Sequence, residues 1–136
     1  MKTEIYCDSA DLKTIKKLGK NSLVDGFTTN PSLMRLAGAK NYKQYSLRLL
    51  KASNGKPISF EVFADTSDQM LEQAKIINSW GKNVYVKIPV VNSKGHFSGK
   101  VIKKLSENRI KLNITAVYTV NQVKKIIKNL NKNSKT

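Results

Sequence analysis

Apolar and polar positions along the chain switch between two periods. Short runs rich in β-branched and aromatic residues alternate with stretches whose apolar residues recur three and four apart, the signatures of strand and helix. The first run predicts a strand over 4–8. A helix over 10–18 follows, with Leu12, Ile15 and Leu18 in one stripe, Ser9 or Asp8 as its cap and Gly19 as its stop. A second strand is predicted over 24–28. Pro31 then holds Asn30 extended, so no helix starts before it. The next helix is expected over 42–52, closed by the turn Asn54-Gly55-Lys56-Pro57. A strand over 58–64 precedes a helix over 69–80, capped from Thr66-Ser67-Asp68, with Met70, Leu71, Ala74, Ile76 and Ile77 as its apolar stripe. Then come a strand over 83–91, a loop with His96, a helix over 100–108, a strand over 110–117, and a last helix over 120–130 opened by Thr119. The polar end, 131–136, reads as a frayed tail. Five strand–helix units joined by right-handed crossovers make a parallel sheet.

The strand over 83–91, Asn83-Val84-Tyr85-Val86-Lys87-Ile88-Pro89-Val90-Val91, carries the main chemical oddity. Its apolar residues are adjacent, as in a parallel strand covered on both faces. Lys87 lies inside the run. An apolar setting favours a neutral amine, which is a nucleophile able to form a Schiff base with a carbonyl. Pro89 cannot donate to a ladder, so pairing should end near it. Lys87 is then close to the strand's C-terminal end, where α/β barrels hold their chemistry. The competing reading is an edge lysine turned to water. Glu61 is a carboxylate inside an apolar strand, to be paired, protonated or functional if buried, or solvent-facing if on an edge. Asp8 stands at a strand end, with capping as its rival role. Asn30 is a fixed amide at the top of its strand, and Asn113 and Thr115, two apart, share a face. Trp80 reads as helix–sheet packing. His96 has no second metal ligand at useful spacing, so it reads as a loop residue and no metal is expected.

Glycine-rich dinucleotide and P-loop fingerprints are absent. The unusual polar residues fall in strands or at their C-terminal ends, one set per strand, which a barrel gathers round one axis. The 136 residues, 40% hydrophobic, suit a single domain over 1–136 with a real core. No apolar run approaches the roughly 18 residues of a membrane span. The N-terminus carries no signal-peptide core, and Cys7 is the single cysteine, so a cytoplasmic protein is the expectation. A net charge of +16 raises the question of a polyanion. The lysines are spread over most of the predicted helices and no aromatic stacking motif accompanies them. Nucleic-acid binding is therefore disfavoured, and attraction of phosphorylated metabolites preferred.

Taken in order, the marked segments are Tyr6-Cys7-Asp8-Ser9-Ala10, Gly26-Phe27-Thr28-Thr29-Asn30-Pro31-Ser32-Leu33, Ser59-Phe60-Glu61-Val62-Phe63-Ala64, Val86-Lys87-Ile88-Pro89 and Asn113-Ile114-Thr115. This series resembles the transaldolase family, in particular the small branch that includes fructose-6-phosphate aldolase. Each motif alone is weak; Thr-Thr-Asn-Pro with Val-Lys-Ile-Pro in successive units is specific. The resemblance implies a parallel (β/α)8 barrel of the TIM type and class I Schiff-base chemistry with no cofactor. It implies Lys87 as the Schiff-base lysine, Asp8 as the carboxylate handling the sugar hydroxyl proton, and Glu61 with Thr115 as the pair that serves the catalytic water. Asn30 and Asn113 are implied as partners of the bound three-carbon unit, with Thr28 in the wall beside it. The implied activity is transfer of a dihydroxyacetone unit between sugar phosphates, in the pentose phosphate pathway. Within the family, Glu61 and Asn113 favour transfer over the alternative, simple aldol cleavage.

Such a barrel has eight β/α units and roughly 200 residues or more. This chain supplies about five units, so the expectation is a barrel truncated after them. In the family, the remaining part carries the serine and arginine that grip the substrate phosphate. The open alternatives are a homo-oligomer, a second chain that completes the barrel, or a non-catalytic interaction module.

Overall fold

The computed structural model describes residues 3–133. Strands and helices alternate: β1 (Tyr6–Asp8), α1 (Leu12–Leu18), β2 (Gly26–Thr28), α2 (Pro31–Leu36), α3 (Tyr42–Ala52), β3 (Ile58–Glu61), α4 (Ser67–Asn78), β4 (Val84–Pro89), α5 (Gly99–Glu107), β5 (Leu112–Thr115) and α6 (Val120–Asn129). The chain packs as two compact units, one built from Met1–Glu61 and Trp80–Val84, the other from Val62–Ser79 and Tyr85–Thr136.

In the first unit β1 pairs parallel with β2 through Tyr6–Gly26, Cys7–Phe27 and Asp8–Thr28. β2 pairs parallel with β3 through Phe27–Ile58 and Thr28–Ser59. Parallel neighbours need crossovers, which the intervening helices supply. Phe27, Ile58 and Phe60 are fully buried, as are Ile15 of α1 and Leu49 of α3. Each such side chain stabilises the fold by about 1.5–3 kcal/mol relative to exposure. Gly26 admits no side chain, because a Cβ there would run into the Tyr6 ring and lie 2.9 Å from the Pro57 carbonyl. Trp80 packs edge-on against Phe60 at 5.6 Å and tilted against Tyr42 at 6.1 Å, the packing role expected for it. The Ile58 N–H donates to the Asn83 carbonyl, a bond within this unit.

In the second unit β4 pairs parallel with β5, from Val86–Leu112 to Pro89–Thr115. The Val62 N–H donates to the Lys87 carbonyl. Helix α5 packs against α4, α6 and β5, and buries Val101, Ile102 and Leu105. At every step neighbouring strands keep chain order, β1-β2-β3-β4-β5. A doubly wound fold would reverse direction at a switch point. The fold is therefore a parallel (β/α) barrel type that runs through five units.

Several expectations change. Helix α1 starts at Leu12, and its cap is Asp11 rather than Ser9 or Asp8. Residues 9–10 are tied elsewhere: the Ser9 N–H donates to the Thr28 carbonyl, and Tyr45 donates to the Ala10 carbonyl. Helix α2 was not expected. Asn30 at its cap and Pro31 at its first position are a start signal that the restriction before proline had obscured. Helix α4 ends at Asn78, which leaves Trp80 outside it, and Ile76 is 54% exposed because Met70, Leu71, Ala74 and Ile77 take the inner positions. Along β4 burial alternates: Val84, Val86 and Ile88 are buried, whereas Tyr85, Lys87 and Pro89 are half-buried. The strand was expected to be covered on both faces. In a barrel the second face looks inward rather than onto a second helix layer. No helix among the described residues is long and apolar enough to cross a membrane. The tail expected over 131–136 lies partly outside the described residues.

Candidate active site

The first unit collects Asp8, Thr28, Asn30 and Glu61. Asp8 ends β1 in register with Thr28 at the end of β2. Thr28 is in register with Ser59, two residues before Glu61. Side chains two apart share a face, so Asp8, Thr28 and Glu61 stand together on the face opposite the buried Phe27 and Phe60, at the strands' C-terminal ends. With Asp11 capping α1, the exposed Asp8 carboxylate is not spent on the helix. Beside it, burial and the Asp8 charge push the Cys7 thiol up. Glu61 is held through its backbone: the Tyr42 hydroxyl donates to its carbonyl at 2.9 Å and accepts from its N–H at 3.0 Å. Burial first, and then the nearby Glu61 charge, push the Tyr42 phenol well above its ordinary value, partly offset by its backbone hydrogen bond. Tyr42 therefore stays protonated. Thr29 is fully buried and sends both its N–H and its Oγ1 to the Ser59 carbonyl, at 3.2 and 2.7 Å. That anchors the chain just before Asn30, whose Oδ1 accepts the Leu33 N–H at 2.9 Å. That bond ties the amide oxygen to α2 through one of its two lone pairs, and the NH2 keeps donor capacity.

The second unit collects Lys87, Asn113 and Thr115. Lys87 is in register with Asn113, and Pro89 with Thr115. All three polar side chains are half-buried and share one face near the C-terminal ends of β4 and β5. Ala116 follows directly, with φ +58. That left-handed conformation costs an alanine roughly 1–2 kcal/mol. The loop after β4 is tied back by Asp65, which accepts from the Ser93 N–H and Oγ, both at 2.7 Å. These bonds hold the Asp65 carboxyl below the usual range. His96 lies in this loop, as expected, and its backbone N–H donates to Asn92 Oδ1. Among the described residues no three His, Cys, Asp or Glu side chains sit together as metal ligands would.

The predicted residues are thus gathered in two sets, each on the sheet face and strand ends where barrels carry chemistry. Reading the sequence missed Tyr42, Thr29 and Ala116. Tyr42 and Thr29 act through contacts 19 and 30 residues away, which no local pattern signals.

Fold and polar strand ends define a β/α-barrel-type protein. The family described as transaldolase/fructose-6-phosphate aldolase matches residues 5–134. The chain belongs to that family. A probable transaldolase of Thermoplasma volcanium is 38% identical over 117 residues, covering 85% of this chain and 50% of the relative. A probable transaldolase of Dehalococcoides mccartyi is 36% identical over 118 residues, covering 87% and 53%. One from Streptococcus agalactiae is 34% identical over 117 residues, covering 86% and 52%. The chain spans about half the length of the curated relatives it matches.

Proposed function

We propose that the chain carries the Schiff-base half of a transaldolase-type reaction, the transfer of a dihydroxyacetone unit between sugar phosphates. The supporting observation is the register pair of Lys87 and Asn113, with Thr115 two residues on along the same face. The Lys87 amine adds to the ketose C2 carbonyl and water leaves, which gives an iminium. The Asp8 carboxylate takes the C4 hydroxyl proton. The C3–C4 bond breaks, its electrons pass to the iminium to form an enamine, and the aldose phosphate departs. The enamine carbon then adds to the aldehyde of an acceptor, Asp8 returns the proton, and water releases the product from Lys87. Glu61 and Thr115 serve the water that carries protons in these steps. Asn113 holds the three-carbon unit beside Lys87. Asn30 donates through its NH2, with Thr28 in the wall. No cofactor enters. The reading puts the reaction in the cytoplasm, in the pentose phosphate pathway.

An assay with fructose 6-phosphate tests it, with and without an acceptor aldose phosphate. Product that forms only with the acceptor supports transfer. Aldehyde release without the acceptor, unchanged when it is added, replaces transfer with aldol cleavage. No turnover and no covalent adduct would sink both.

A further inference from the structure

A groove of about 380 Å³ lies between α1 and α3, and both of its walls are internal to the first unit. Sequence spacing builds those walls. Leu12, Lys16 and Lys20 recur every four residues along α1 and its exit, and Arg48 is three residues from Lys51 and four from Ala52 on α3. Leu12 and Ala52 are half-buried and form an apolar floor, with the four cations exposed around it. Among the described residues no acidic side chain lines the groove, and neither helix contains one. The walls are pinned together at one end. A Cβ on Gly19, at the end of α1, would lie 2.7 Å from the Ala52 carbonyl, so the two helices close to backbone contact there. Asn54 Nδ2 donates to the Gly19 carbonyl at 3.4 Å, and the Lys56 ammonium donates to the Leu18, Asn21 and Val24 carbonyls. The groove is therefore preformed.

Helix C-termini attract cations, and Lys16 and Lys51 stand in the last turns of α1 and α3. Each helix end supplies only roughly half a negative charge, so the two ends leave most of the charge of the four cations uncompensated. We infer that the α1–α3 groove binds a small organic molecule with a diphosphate group, of the nucleoside diphosphate class. Its phosphates lie among Lys16, Lys20, Arg48 and Lys51, and its body rests on Leu12 and Ala52. A diphosphate monoester carries about three negative charges at neutral pH, which matches what the helix ends leave. The groove's volume falls in the range of small-ligand sites, roughly 300–1,000 Å³. A nucleic-acid strand would call for stacking aromatics along its track, and none lines the groove. The site belongs to the helix layer, whereas Asp8, Thr28 and Glu61 stand at the strand ends. It gives part of the +16 charge a local use.

Isothermal titration calorimetry of the full chain tests this, with ADP, AMP and inorganic pyrophosphate as probes. The salt is held at about 0.15 M, so that diffuse attraction to a basic protein is screened. The inference expects one ADP per chain, bound more tightly than AMP or pyrophosphate. Lys16→Glu with Lys51→Glu should weaken ADP binding about a hundredfold, tenfold for each cation replaced. Both side chains are exposed, so the variant should keep a cooperative thermal melt. Lys103→Glu with Lys104→Glu, exposed on α5, changes the net charge by the same amount and should leave ADP binding as it was. Equal weakening by the two variants overturns the inference in favour of diffuse charge. Pyrophosphate binding as tight as ADP overturns the organic ligand, and absence of ADP binding overturns the site. A single-stranded oligonucleotide that binds more tightly than ADP, and loses affinity only in the Lys16 and Lys51 variant, overturns it in favour of nucleic acid. The readout is binding, so none of these outcomes depends on Schiff-base chemistry.

Discussion

Tyr42 holds Glu61 without contributing a reactive group. Its hydroxyl serves both backbone groups of Glu61, and its ring packs against Trp80. Tyr42→Phe keeps the ring and removes the hydroxyl, so it should cost about 1–3 kcal/mol in denaturant unfolding. Under the proposed roles it should also lower turnover more than substrate affinity, whereas a purely structural role would leave the KM-to-kcat balance alone. Ala116 carries strain of the opposite sign. Ala116→Gly relieves the left-handed conformation but loses some backbone entropy, for a net gain of about 0.5–1 kcal/mol in the same unfolding measurement. A loss would mean that contacts of the alanine methyl outweigh the strain. At this scale the sequence was informative where a residue contradicted its surroundings. Lys87 and Glu61 are charges in apolar runs, which any pattern reading flags. Tyr42 opens the helix over 42–52 with no local mark of its role, and its partner lies 19 residues on.

Elements were legible where start signals were local. Helix α3 occupies 42–52 as expected, and α6 opens at Thr119 with a full capping box to Gln122. Thr119→Ala removes the cap and should cost about 1 kcal/mol of stability by thermal melt. Helix α2 was hidden because Pro31 was read for what it forbids upstream rather than for the helix it opens. The start of α1 was misplaced because long-range bonds from Thr28 and Tyr45 hold residues 9–10. Strands came out shorter than the apolar runs, because the runs continue into buried exits such as Val62 and Val90 that follow the paired residues. The loop after β4 has a pH signature. Asp65 is held below its unfolded value of about 3.9, so its ties to Ser93 are fully present above that value and are lost as pH falls through the lowered one. Protection of the Ser93 amide, taken relative to its intrinsic exchange rate at each pH, should fall in that acid window and stay level from there to neutrality; Asp65→Asn should remove the transition.

For the whole molecule, the alternation of periods already pointed to parallel strands with helical crossovers, and the strand order agrees. What the pattern left open is how each sheet face is covered. Burial along β4 distinguishes a helix-covered face from the face bearing Lys87, a distinction that adjacent apolar letters cannot encode. The family match ties that face to Schiff-base chemistry as a proposal. The central claim is that Lys87 is the nucleophile. Borohydride trapping tests it most directly: the protein is incubated with fructose 6-phosphate, or with dihydroxyacetone, then reduced and read by intact mass and peptide mapping. The account predicts a reduced three-carbon adduct on Lys87, absent from a folded Lys87→Ala variant. An adduct on another lysine, or equal labelling of the variant, would contradict it.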